Sequence, residues 1–585
     1  DHAGIATQTV VEKKLMRENG ITRHDLGREK FLEKVFEWKG EYGGKIFNQL
    51  RRLGSSLDWT REAFTMDEKL SKAVKEAFVK MHEDGLIYRD NRLVNWSCQL
   101  KTAISDIEVD YIDVEGPTML QVPGHLKKVE FGVITSFAYK IKDDPNDDEL
   151  VVATTRIETM LGDVAVAVHP DDERYKKYHG KALVHPFDSL REIPIICDEV
   201  LVDMEFGTGC VKITPAHDPN DYDMGKKRDL EFINIMNKDG TMSASAQAYA
   251  GLDRAECRVK IWEDLEKDGL AIKKEDYETR VPRSQRGGEV IEPMVSEQWF
   301  CKMETMSTPA LNALRTGELT IVPKRFEKVY ETWLSDCKDW CISRQLWWGH
   351  QIPAWYFGEG DEDFVVAKTL EEAVIAASKK AGMEVSASDL KQDEDVMDTW
   401  FSSWIWPIQV FDGLHKEEEV NYYYPTNDLV TAPEIMFFWV ARMIMSGYHY
   451  RELPPFKNVY FTGIVRDDQG RKMSKSLGNS PDPIELMGKY GADGVRVGML
   501  LTSPAGNDLP FDEKLCETGR NFSNKIWNAF RLVNCWEVSE TKEQPEASAL
   551  AVKWLESRTN AALLDLESQY EEFRLSEALM TSYRL

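Results

Sequence analysis

The sequence predicts an α/β fold in which a β-rich segment interrupts the main body and a helical bundle follows it. The run Val459–Val465 is rich in β-branched and aromatic residues and has strand length, with a basic loop and a helical pattern after it. Between about Val129 and Thr279, short β-forming runs alternate with turn residues. Near the C-terminus, apolar residues recur at helical spacing: Phe522, Ile526, Trp527 and Phe530, continued over Leu550–Leu585.

Length and composition limit the class of protein. The chain has 585 residues, of which 42% are hydrophobic, so it can bury several cores and we expect three or four domains. A formal charge of −27 argues against a protein that coats nucleic acid non-specifically, although it leaves room for a local basic track. No apolar run reaches membrane-spanning length and no signal peptide is visible, which predicts a soluble protein without a membrane partner.

The nine cysteines are scattered and form no C-x-x-C pair. This pattern favours a reducing, cytoplasmic compartment and gives no zinc signature. Cys98 stands alone in the run L-V-N-W-S-C-Q-L, so we predict no protein-bound zinc and no other metal site.

The elements before the lysine-rich loop follow from their spacing. Apolar stripes predict a helix that stops at Gly20, a second helix around Phe31 and Val35, and a third helix with Asp67 as its N-cap. The β-rich runs of the insertion predict a small barrel-like domain, and they are Val129–Ile141, Leu150–Thr155, Asp163–Val168 and Ile193–Ile196.

The basic loop at Val465–Asn479 is V-R-D-D-Q-G-R-K-M-S-K-S-L-G-N. Lys472 and Lys475 lie between two glycines, where they could fold onto a polyphosphate as negative charge redistributes in a transition state. Asp482 and Pro483 are a suitable N-cap and first residue for the helix that follows. A bare K-x-x-K would more often be a solvated loop, but the longer K-M-S-K-S-x-G-N run is a sharper signal.

That run resembles the second signature of the class I aminoacyl-tRNA synthetases, whose catalytic domain is a split Rossmann fold. The opening D-H-A-G-I-A-T-Q and the L-G-S-S-L-D-W-T run are similar to the valyl branch of the valyl, isoleucyl and leucyl subgroup. The resemblance covers almost the whole chain and implies ATP with Mg²⁺, valine and valine tRNA isoacceptors as ligands. It does not predict an oligomeric state.

The family's other signature, H-I-G-H, is absent from this sequence. The chain begins at Asp1 rather than Met and ends at Leu585 within a helical pattern. We therefore expect a fragment that does not aminoacylate tRNA by itself.

The resemblance also implies a division into domains. Residues 1–128 would be the first part of the catalytic domain with a helical connector, and residues 129–279 an inserted β-barrel-like editing domain. Residues 280–515 would be the second part of the catalytic domain, which carries the lysine loop. Residues 516–585 would begin a helical anticodon-binding domain.

Two apolar runs, Asp395–Trp404 and Pro433–Met443, are expected to line the amino-acid pocket. Ile435 and Trp439 lie four residues apart and would share one face of a helix. The resemblance implies that Trp400 lies opposite them, which makes a slot sized for valine, and that Asp1 binds the ammonium group. Without the resemblance, such an apolar stripe would be ordinary core.

For ATP, the resemblance implies catalytic lysines at Lys472 and Lys475, with binding contacts from Lys475, Ser474, Glu434 and Asp493. The chain departs from the family here, because T-A-P-E stands where T-G-x-D is usual. Glu434 is longer than aspartate, and the methyl of Ala432 replaces a glycine hydrogen where the resemblance implies a close approach of the backbone.

Arg344 and His350 lie in the aromatic run C-I-S-R-Q-L-W-W-G-H. Two interpretations stay open for them. They could face the tRNA acceptor end or the adenylate, or they could belong to buried aromatic packing between domains.

The insertion carries two motifs, T-T-R with a later threonine, and G-T-G-C-V-K-I-T-P-A-H-D-P-N-D. Taken alone, His217 with its neighbouring acids could be a metal site or, more simply, a hydrogen-bonded loop. Together the motifs resemble the editing site of the valyl, isoleucyl and leucyl enzymes. The resemblance implies that Asp221 binds the ammonium of a mischarged amino acid and that other residues surround its side chain and ester, namely Thr154, Thr155, Arg156, Thr159, Lys212, Thr214 and Asp218.

A pocket shaped for valine cannot strongly reject threonine, a limit for which the valyl enzymes are the standard example. A second site that hydrogen-bonds the hydroxyl can accept threonine and leave valine. The sequence shows no evident Ser–His or Cys–His pair, which favours hydrolysis by a positioned water.

The resemblance therefore implies a valine-specific ligase that also hydrolyses threonyl-tRNA. An isoleucyl-type synthetase is the enzymatic alternative. A synthetase-like RNA-binding protein without catalytic activity is the alternative from another class, and the altered Ala432–Glu434 run is its best support. A freestanding deacylase is the simplest fallback.

Overall fold

A computed structural model describes residues 1–125, 127–285, 287–360, 362–473, 478–539 and 543–585. It is a mixed α/β structure, and a β-rich insertion separates two parts of the main body. This architecture confirms the predicted fold class. Among the described residues, no helix combines the length and apolarity that crossing a membrane requires.

The N-terminal part consists of helices followed by β-strands. Its elements are α1 (Gly4–Asn19), α2 (Arg23–Leu26), α3 (Arg28–Leu53), α4 (Glu68–Glu83), β1 (Ile87–Ser97), β2 (Thr102–Ile104), β3 (Val109–Val114) and β4 (Thr118–Leu120). Gly20 ends α1 in the left-handed conformation, as predicted. Asp67 is the N-cap residue of α4, as predicted, but its carboxylate does not accept an N–H of the helix's first turn. It accepts instead the N–H of Phe64, three residues earlier in the chain, at 2.8 Å.

The insertion forms a seven-stranded sheet with two helices beside it. Its elements are β5 (Val129–Phe131), β6 (Val133–Ile141), β7 (Glu149–Thr154), β8 (Ala165–Val168), β9 (Ala182–His185), β10 (Asp188–Cys197), β11 (Cys210–Ile213), α5 (Pro219–Arg228), α6 (Arg254–Lys267) and β12 (Ala271–Asp276). The strand order is β11-β8-β10-β9-β6-β12, with β7 also paired to β6. Because β7 lies against β11, the sheet curves back on itself, in keeping with a barrel-like insertion.

The chain leaves the insertion through β13 (Thr279–Ser284) and β14 (Ile291–Cys301). β14 runs antiparallel to β1 along its whole length, from Ile87 opposite Cys301 to Ser97 opposite Ile291. Its side chains alternate between two cores, as the strand period of two requires. Trp299 and Cys301 pack into the core of the main body, whereas Met294 and Phe300 pack into the core of the insertion.

The second part of the main body contains a parallel sheet of three strands. Its elements are α7 (Glu304–Thr316), β15 (Thr320–Val322), α8 (Arg325–Ser335), β16 (Trp340–Cys341), β17 (Ser343–Arg344), β18 (Ala354–Tyr356), β19 (Phe364–Val366), α9 (Leu370–Ala381), β20 (Lys391–Gln392), β21 (Val396–Met397), α10 (Thr399–Ser403), α11 (Trp406–Gln409), α12 (Glu418–Tyr423), β22 (Thr426–Thr431), α13 (Ala441–Arg451), β23 (Phe456–Phe461), β24 (Val465–Arg466), α14 (Pro483–Leu501) and β25 (Leu509–Pro510). The parallel order is β15-β23-β22. Such a sheet, with connecting helices, is the expected scaffold for a Rossmann-type site.

The strand predicted at Val459–Val465 is shifted. β23 ends at Phe461, and the chain resumes strand geometry at β24, which pairs with β25. Gly463 explains the break, because a Cβ there would lie 1.6 Å from the carbonyl oxygen of Asn507. Only glycine permits this backbone approach.

Among the residues described after position 512, three helices follow, α15 (Glu513–Asn534), α16 (Glu546–Glu571) and α17 (Leu575–Arg584). The apolar residues that predicted the bundle lie on α15, where Ile526, Trp527 and Phe530 are each more than half exposed. Phe522 packs against Tyr583, with the ring centres 4.8 Å apart and the ring planes at 45°.

Candidate functional site

A cavity of about 310 Å³ lies where the N-terminal residues meet α10. Asp1, Trp400 and Ile435 line it, so the fold brings together three of the four residues predicted to bind the amino acid. The fourth, Trp439, donates its indole N–H to the carbonyl of Ser403 at 3.0 Å and thereby fixes the end of α10.

Ile435 and Trp439 do not lie on one regular α-helix, which corrects the expectation that they share a helix face. Pro433–Ile435 is a 3₁₀ turn, and Met436–Val440 is a π-helical turn that leads into α13. The change of helical pitch at Ile435 alters the angle between side chains four residues apart. Ile435 therefore faces the cavity, whereas Trp439 supports the helix that carries Trp400.

The carboxylate of Asp1 is oriented by two donors. It accepts the backbone N–H of Ala3 at 2.7 Å and the hydroxyl of Ser403 at 3.2 Å. A carboxylate has about four acceptor sites, so these two donors leave acceptor capacity for an ammonium group.

Asp398 supports this cavity and was missed by the sequence analysis as a site residue. One carboxylate oxygen accepts the backbone N–H of Trp400 at 3.1 Å and caps α10. The other accepts from Arg344 Nη2 at 2.9 Å and Trp340 Nε1 at 3.0 Å. An aspartate directly before a short helix was the available signal, because that position favours an N-cap.

Arg344 and His350 are both buried, and for His350 this matches the second of the two interpretations, whereas both interpretations stay open for Arg344. Arg344 also lines the cavity and pairs with Asp398. His350 contacts the carbonyl of Thr65 through Nε2 at 2.9 Å, and burial lowers its pKa to about 4. His350 is therefore neutral at pH 7 and joins the main body to the loop before α4.

Of the predicted ATP contacts, Lys472 and Glu434 lie together, with Nζ and Oε1 3.2 Å apart. Asn479 holds the backbone beside them, because its amide donates to the carbonyl of Lys472 at 3.3 Å and to Asp467 at 2.9 Å. Asp493 is exposed on α14, two residues beyond the kink at Gly491. The remaining two predicted residues, Ser474 and Lys475, lie outside the residues that the structure describes.

In the insertion, Lys212 and Thr214 face the same buried carboxylate. Lys212 Nζ lies 2.9 Å from Asp163 Oδ1, and the hydroxyl of Thr214 lies 2.5 Å from the same oxygen. Both predicted residues are buried, and they share one side of β11 and its extension, as their spacing of two predicts.

Asp218 and Asp221 occupy the first turn of α5. Asp218 is the N-cap and accepts the N–H groups of Asn220 at 2.8 Å and Asp221 at 3.2 Å, with Pro219 as the first helical residue. Asp221 accepts the N–H of Thr214 at 2.8 Å. Burial and the nearby charge of Asp218 raise the pKa of Asp221 to about 7, so its carboxylate is poised to gain a cationic partner.

Arg156 belongs to a chain of alternating buried charges. Its guanidinium donates to Glu292 on β14 and to the carbonyl of His217 at 2.9 Å, and it lies 3.6 Å from Glu158. Arg254 donates to Glu292 at 2.7 Å. Although burial opposes ionisation, these arginines lower the pKa of Glu292 to about 2.

At the other end of this chain, Arg258 donates to both oxygens of Glu158, at 2.9 and 2.8 Å. Thr154 and Thr159 hold the backbone of Arg156, because Thr154 Oγ1 accepts its N–H at 3.1 Å and Thr159 donates to its carbonyl at 2.8 Å. Thr155, which lies between Thr154 and Arg156 in the sequence, is half-buried. Protein groups thus hold both the backbone and the guanidinium of Arg156, whose side chain is 26% exposed.

His217 is part of a hydrogen-bonded loop, which is the simpler of its two sequence interpretations. Its Nε2 accepts the N–H of Ile235 at 3.1 Å, so the proton is assigned to Nδ1, which donates to the carbonyl of Pro293 at 3.1 Å. Burial and Arg156 lower the pKa of His217 to about 3, which keeps it neutral. Within the described residues, no group of three or more His, Cys, Asp and Glu side chains is arranged to hold a metal ion.

Comparison with known proteins agrees with this geometry. The family model for tRNA synthetases class I (I, L, M and V) matches residues 1–512. The valine--tRNA ligases of Christiangramia forsetii and Parabacteroides distasonis are 53% and 52% identical to the chain, and that of Fusobacterium nucleatum is 50% identical. Each comparison covers the whole chain but only 65%, 65% and 63% of the respective relative, so the chain spans about two-thirds of their length at most.

Among solved structures, the crystal structure of the ternary complex of Agrobacterium radiobacter K84 agnB2 LeuRS-tRNA-LeuAMS aligns with 99% of this chain and 76% of that chain. Its TM-score of 0.49 and 16% identity are too low for the details of the two folds to be compared. The match of the family model over residues 1–512, on a fold with a parallel sheet and a β-rich insertion, is decisive. The chain belongs to the class I tRNA synthetases of the isoleucyl, leucyl, methionyl and valyl group.

Proposed function

We propose that the complete protein is a valine-tRNA ligase that activates valine with Mg-ATP, transfers it to valine tRNA isoacceptors and hydrolyses threonyl-tRNA. The observation that carries this proposal is the single cavity that joins the Asp1 carboxylate to the apolar surfaces of Trp400 and Ile435. A small β-branched amino acid matches both halves of such a cavity. The names of the relatives reported above support the same substrate.

In the activation step, the valine carboxylate bonds to the α-phosphorus of ATP as the bond to pyrophosphate breaks. Asp1 holds the ammonium, and the wall of Trp400 and Ile435 holds the side chain, so that the two reactants meet in a fixed geometry. Lys472 and Lys475 stabilise negative charge on the leaving phosphates. Magnesium enters with ATP as part of the substrate.

Lys472 starts from an ion pair with Glu434. Both side chains are substantially exposed, 60% and 41%, so the pair is weak and a phosphate can displace Glu434. Glu434 is then released to accept a hydroxyl of the ATP ribose, and Ser474 and Asp493 complete the nucleotide contacts.

In the editing step, Asp221 binds the ammonium of the threonyl ester, and a positioned water attacks. The water oxygen bonds to the ester carbonyl carbon, the ester C–O bond breaks, and the departing ribose oxygen takes up a proton. Threonine and uncharged tRNA are released. Thr154, Thr155, Thr159, Lys212, Thr214 and Asp218 form the surroundings of the substrate, with Arg156 behind them.

We also assign the protein to the cytoplasm, on narrower grounds. All nine cysteines are free thiols, which suits a reducing compartment.

The test of activation is amino-acid-dependent ATP–pyrophosphate exchange with the complete protein. We expect exchange with valine, weaker exchange with threonine, and the weakest with isoleucine, since the extra methylene of isoleucine must enter a slot sized for valine. Exchange that favours isoleucine would establish the isoleucyl alternative. Absence of exchange with any amino acid would favour an RNA-binding protein without catalytic activity.

The test of editing is Asp221→Ala in the complete protein. We expect valine activation to be retained and threonyl-tRNA to accumulate, because the substrate's ammonium loses its partner and the ester loses its alignment with water. Retained activation shows that the variant is folded. If Asp221→Ala accumulates no more threonyl-tRNA than the parent, the editing assignment is wrong.

A further inference from the structure

Helix α10 is only five residues long, yet it joins the residues proposed to bind valine to one another. It carries Trp400, which lines the cavity, and it ends at Ser403. The hydroxyl of Ser403 lies 3.2 Å from the carboxylate of Asp1, and its carbonyl accepts the indole N–H of Trp439 at 3.0 Å. The distance between the Asp1 carboxylate and the apolar wall at Trp400 therefore depends on where α10 lies.

The position of α10 has to come from its contacts, because isolated helices of this length are not stable by themselves. Asp398 holds its start, where Oδ1 accepts the N–H of Trp400 at 3.1 Å. The other oxygen, Oδ2, accepts from Arg344 Nη2 at 2.9 Å and from Trp340 Nε1 at 3.0 Å. Since Asp398, Arg344 and Trp340 are all buried, losing one partner would leave a buried polar group unsatisfied.

The two side chains that donate to Asp398 are themselves fixed by other parts of the main body. Arg344 also donates to the hydroxyl of Ser105 at 2.6 Å, just before β3. The guanidinium of Arg442, on α13, lies over the indole of Trp340, with its central carbon 3.7 Å from the ring centre. A guanidinium over an indole face is a favourable cation–π contact. Asp398 therefore ties α10 to two separate segments of the chain.

Asp398 serves three donors with two oxygens, which an amide of the same shape cannot do. An asparagine side chain has one acceptor oxygen, and its nitrogen is itself a donor. In Asp398→Asn, either the N–H of Trp400 or the pair Arg344 and Trp340 must lose its acceptor. Capping alone does not call for a carboxylate here, because asparagine is as good an N-cap as aspartate.

We propose that Asp398 is a positioning residue for the selection of valine, because it fixes α10 and so sets the distance from Asp1, which holds the ammonium, to Trp400, which contacts the side chain. This inference rests on the proposed activation of valine. Valine and α-aminobutyrate share the ammonium and differ by one methyl group, so contacts with the apolar wall tell them apart. A wall at the correct distance makes those contacts, and a displaced wall loses them.

The experiment is ATP–pyrophosphate exchange by the complete protein and its Asp398→Asn variant, with valine and with α-aminobutyrate. We expect the ratio of kcat/KM for valine to that for α-aminobutyrate to fall by about tenfold, which is the lower end of what one methylene contributes in an apolar pocket. The KM for ATP should keep its parental value, because α10 carries none of the proposed nucleotide contacts. Partial unfolding would instead lower the amount of active enzyme, and hence kcat, without changing the ratio.

Asp393→Asn is the matched control. The carboxylate of Asp393 also accepts an indole N–H, from Trp299 at 2.9 Å, and a backbone N–H, from Asp395 at 3.0 Å. Its remaining donor is the hydroxyl of Tyr356 at 2.8 Å, so its side-chain contacts lead to β14 and β18 rather than to α10. We expect Asp393→Asn to keep the parental ratio.

A milder variant, Trp340→Phe, decides the question if Asp398→Asn is inactive with both amino acids. It removes one donor to Asp398 but keeps an aromatic ring under Arg442. We expect the ratio to fall in the same direction, and by less than in Asp398→Asn, since Arg344 still holds the carboxylate. A parental ratio in Trp340→Phe, combined with an inactive Asp398→Asn, overturns the proposal.

A parental ratio in an active Asp398→Asn, when the parent shows valine-dependent exchange, overturns the role of Asp398 and leaves the ligase function standing. A parent that shows no exchange with valine refutes the proposed function, and the role of Asp398 with it. A ratio that falls equally in Asp398→Asn and Asp393→Asn also overturns the proposal, because the loss of either carboxylate would then have the same effect.

Discussion

Asp221→Asn should stabilise the insertion at neutral and alkaline pH while it removes a proposed substrate contact. The pKa of Asp221 rises from 3.8 to about 7, first because of burial and second because of Asp218. Between these two pH values the folded state binds a proton that the unfolded state has released. Stability therefore falls as pH rises from about 4 to about 7, and the fall is complete above pH 7. Asparagine is neutral throughout and lacks this fall.

The size of the effect follows from the shift. A shift of about three pKa units corresponds to about 4 kcal/mol, which is an upper estimate for the destabilisation of the parent at pH 8. Between pH 5 and pH 8 the parent should lose about 3 kcal/mol relative to Asp221→Asn, or about 100-fold in an opening equilibrium.

Hydrogen exchange followed by mass spectrometry measures this in the complete protein, where a single unfolding transition is not expected. The peptides that cover β11 and α5 should show a gap in protection between variant and parent that widens with pH, after correction for intrinsic exchange. Asp218→Asn is the matched variant, since asparagine still caps α5 but removes the charge that raises the pKa of Asp221. In a protein that carries Asp218→Asn, adding Asp221→Asn should therefore change protection less than Asp221→Asn does in the parent. A gap that is the same at pH 5 and pH 8 would refute the reasoning.

Three further predictions concern other residues. Lys475→Ala in the complete protein should lower kcat for valine activation about 100- to 1,000-fold, with a smaller effect on KM for valine, because a charge-stabilising contact in the transition state is worth roughly 2.7–4 kcal/mol. An unchanged kcat would exclude the catalytic role of Lys475. Glu434→Gln should lower KM for ATP by less than about fivefold, because it frees Lys472 from an exposed pair worth about 0–1 kcal/mol while its amide oxygen still accepts a ribose hydroxyl; a raised KM would contradict this reasoning. Glu292→Gln should destabilise the insertion by about 3–5 kcal/mol, since Arg156 and Arg254 lose a buried counter-charge. Glu297→Gln, at an exposed residue of the same strand that pairs with Arg89, should change stability by less than about 1 kcal/mol, and equal effects of the two changes in limited proteolysis would contradict this prediction.

Local signals in the sequence predicted the local features of the site. The start of α5 at Asp218 and Pro219, the shared face of Lys212 and Thr214, and the position of α14 after Asp482 all follow from caps and residue spacing. Each of these features involves residues within one turn or one strand of each other.

Contacts between distant parts of the chain were not predictable in the same way. Glu292 meets Arg156 across 136 residues, and Asp163 meets Thr214 across 51. A lone buried acid carries no periodic pattern, so neither residue stood out. The departure at Ile435 was missed for another reason, because residue spacing alone does not distinguish α-helical from π-helical turns.

Strand β14 makes the insertion dependent on the body that carries it. A piece cut at residues 129 and 279 would retain Arg156, Arg254 and His217 but lose Glu292 and the carbonyl of Pro293, which neutralise and orient them. Two guanidinium groups would then share an interior without that acid, and the loop that carries Asp218 would lose one of its supports. The insertion is therefore not an interchangeable module, and transplanting it into another protein would require moving β14 with it.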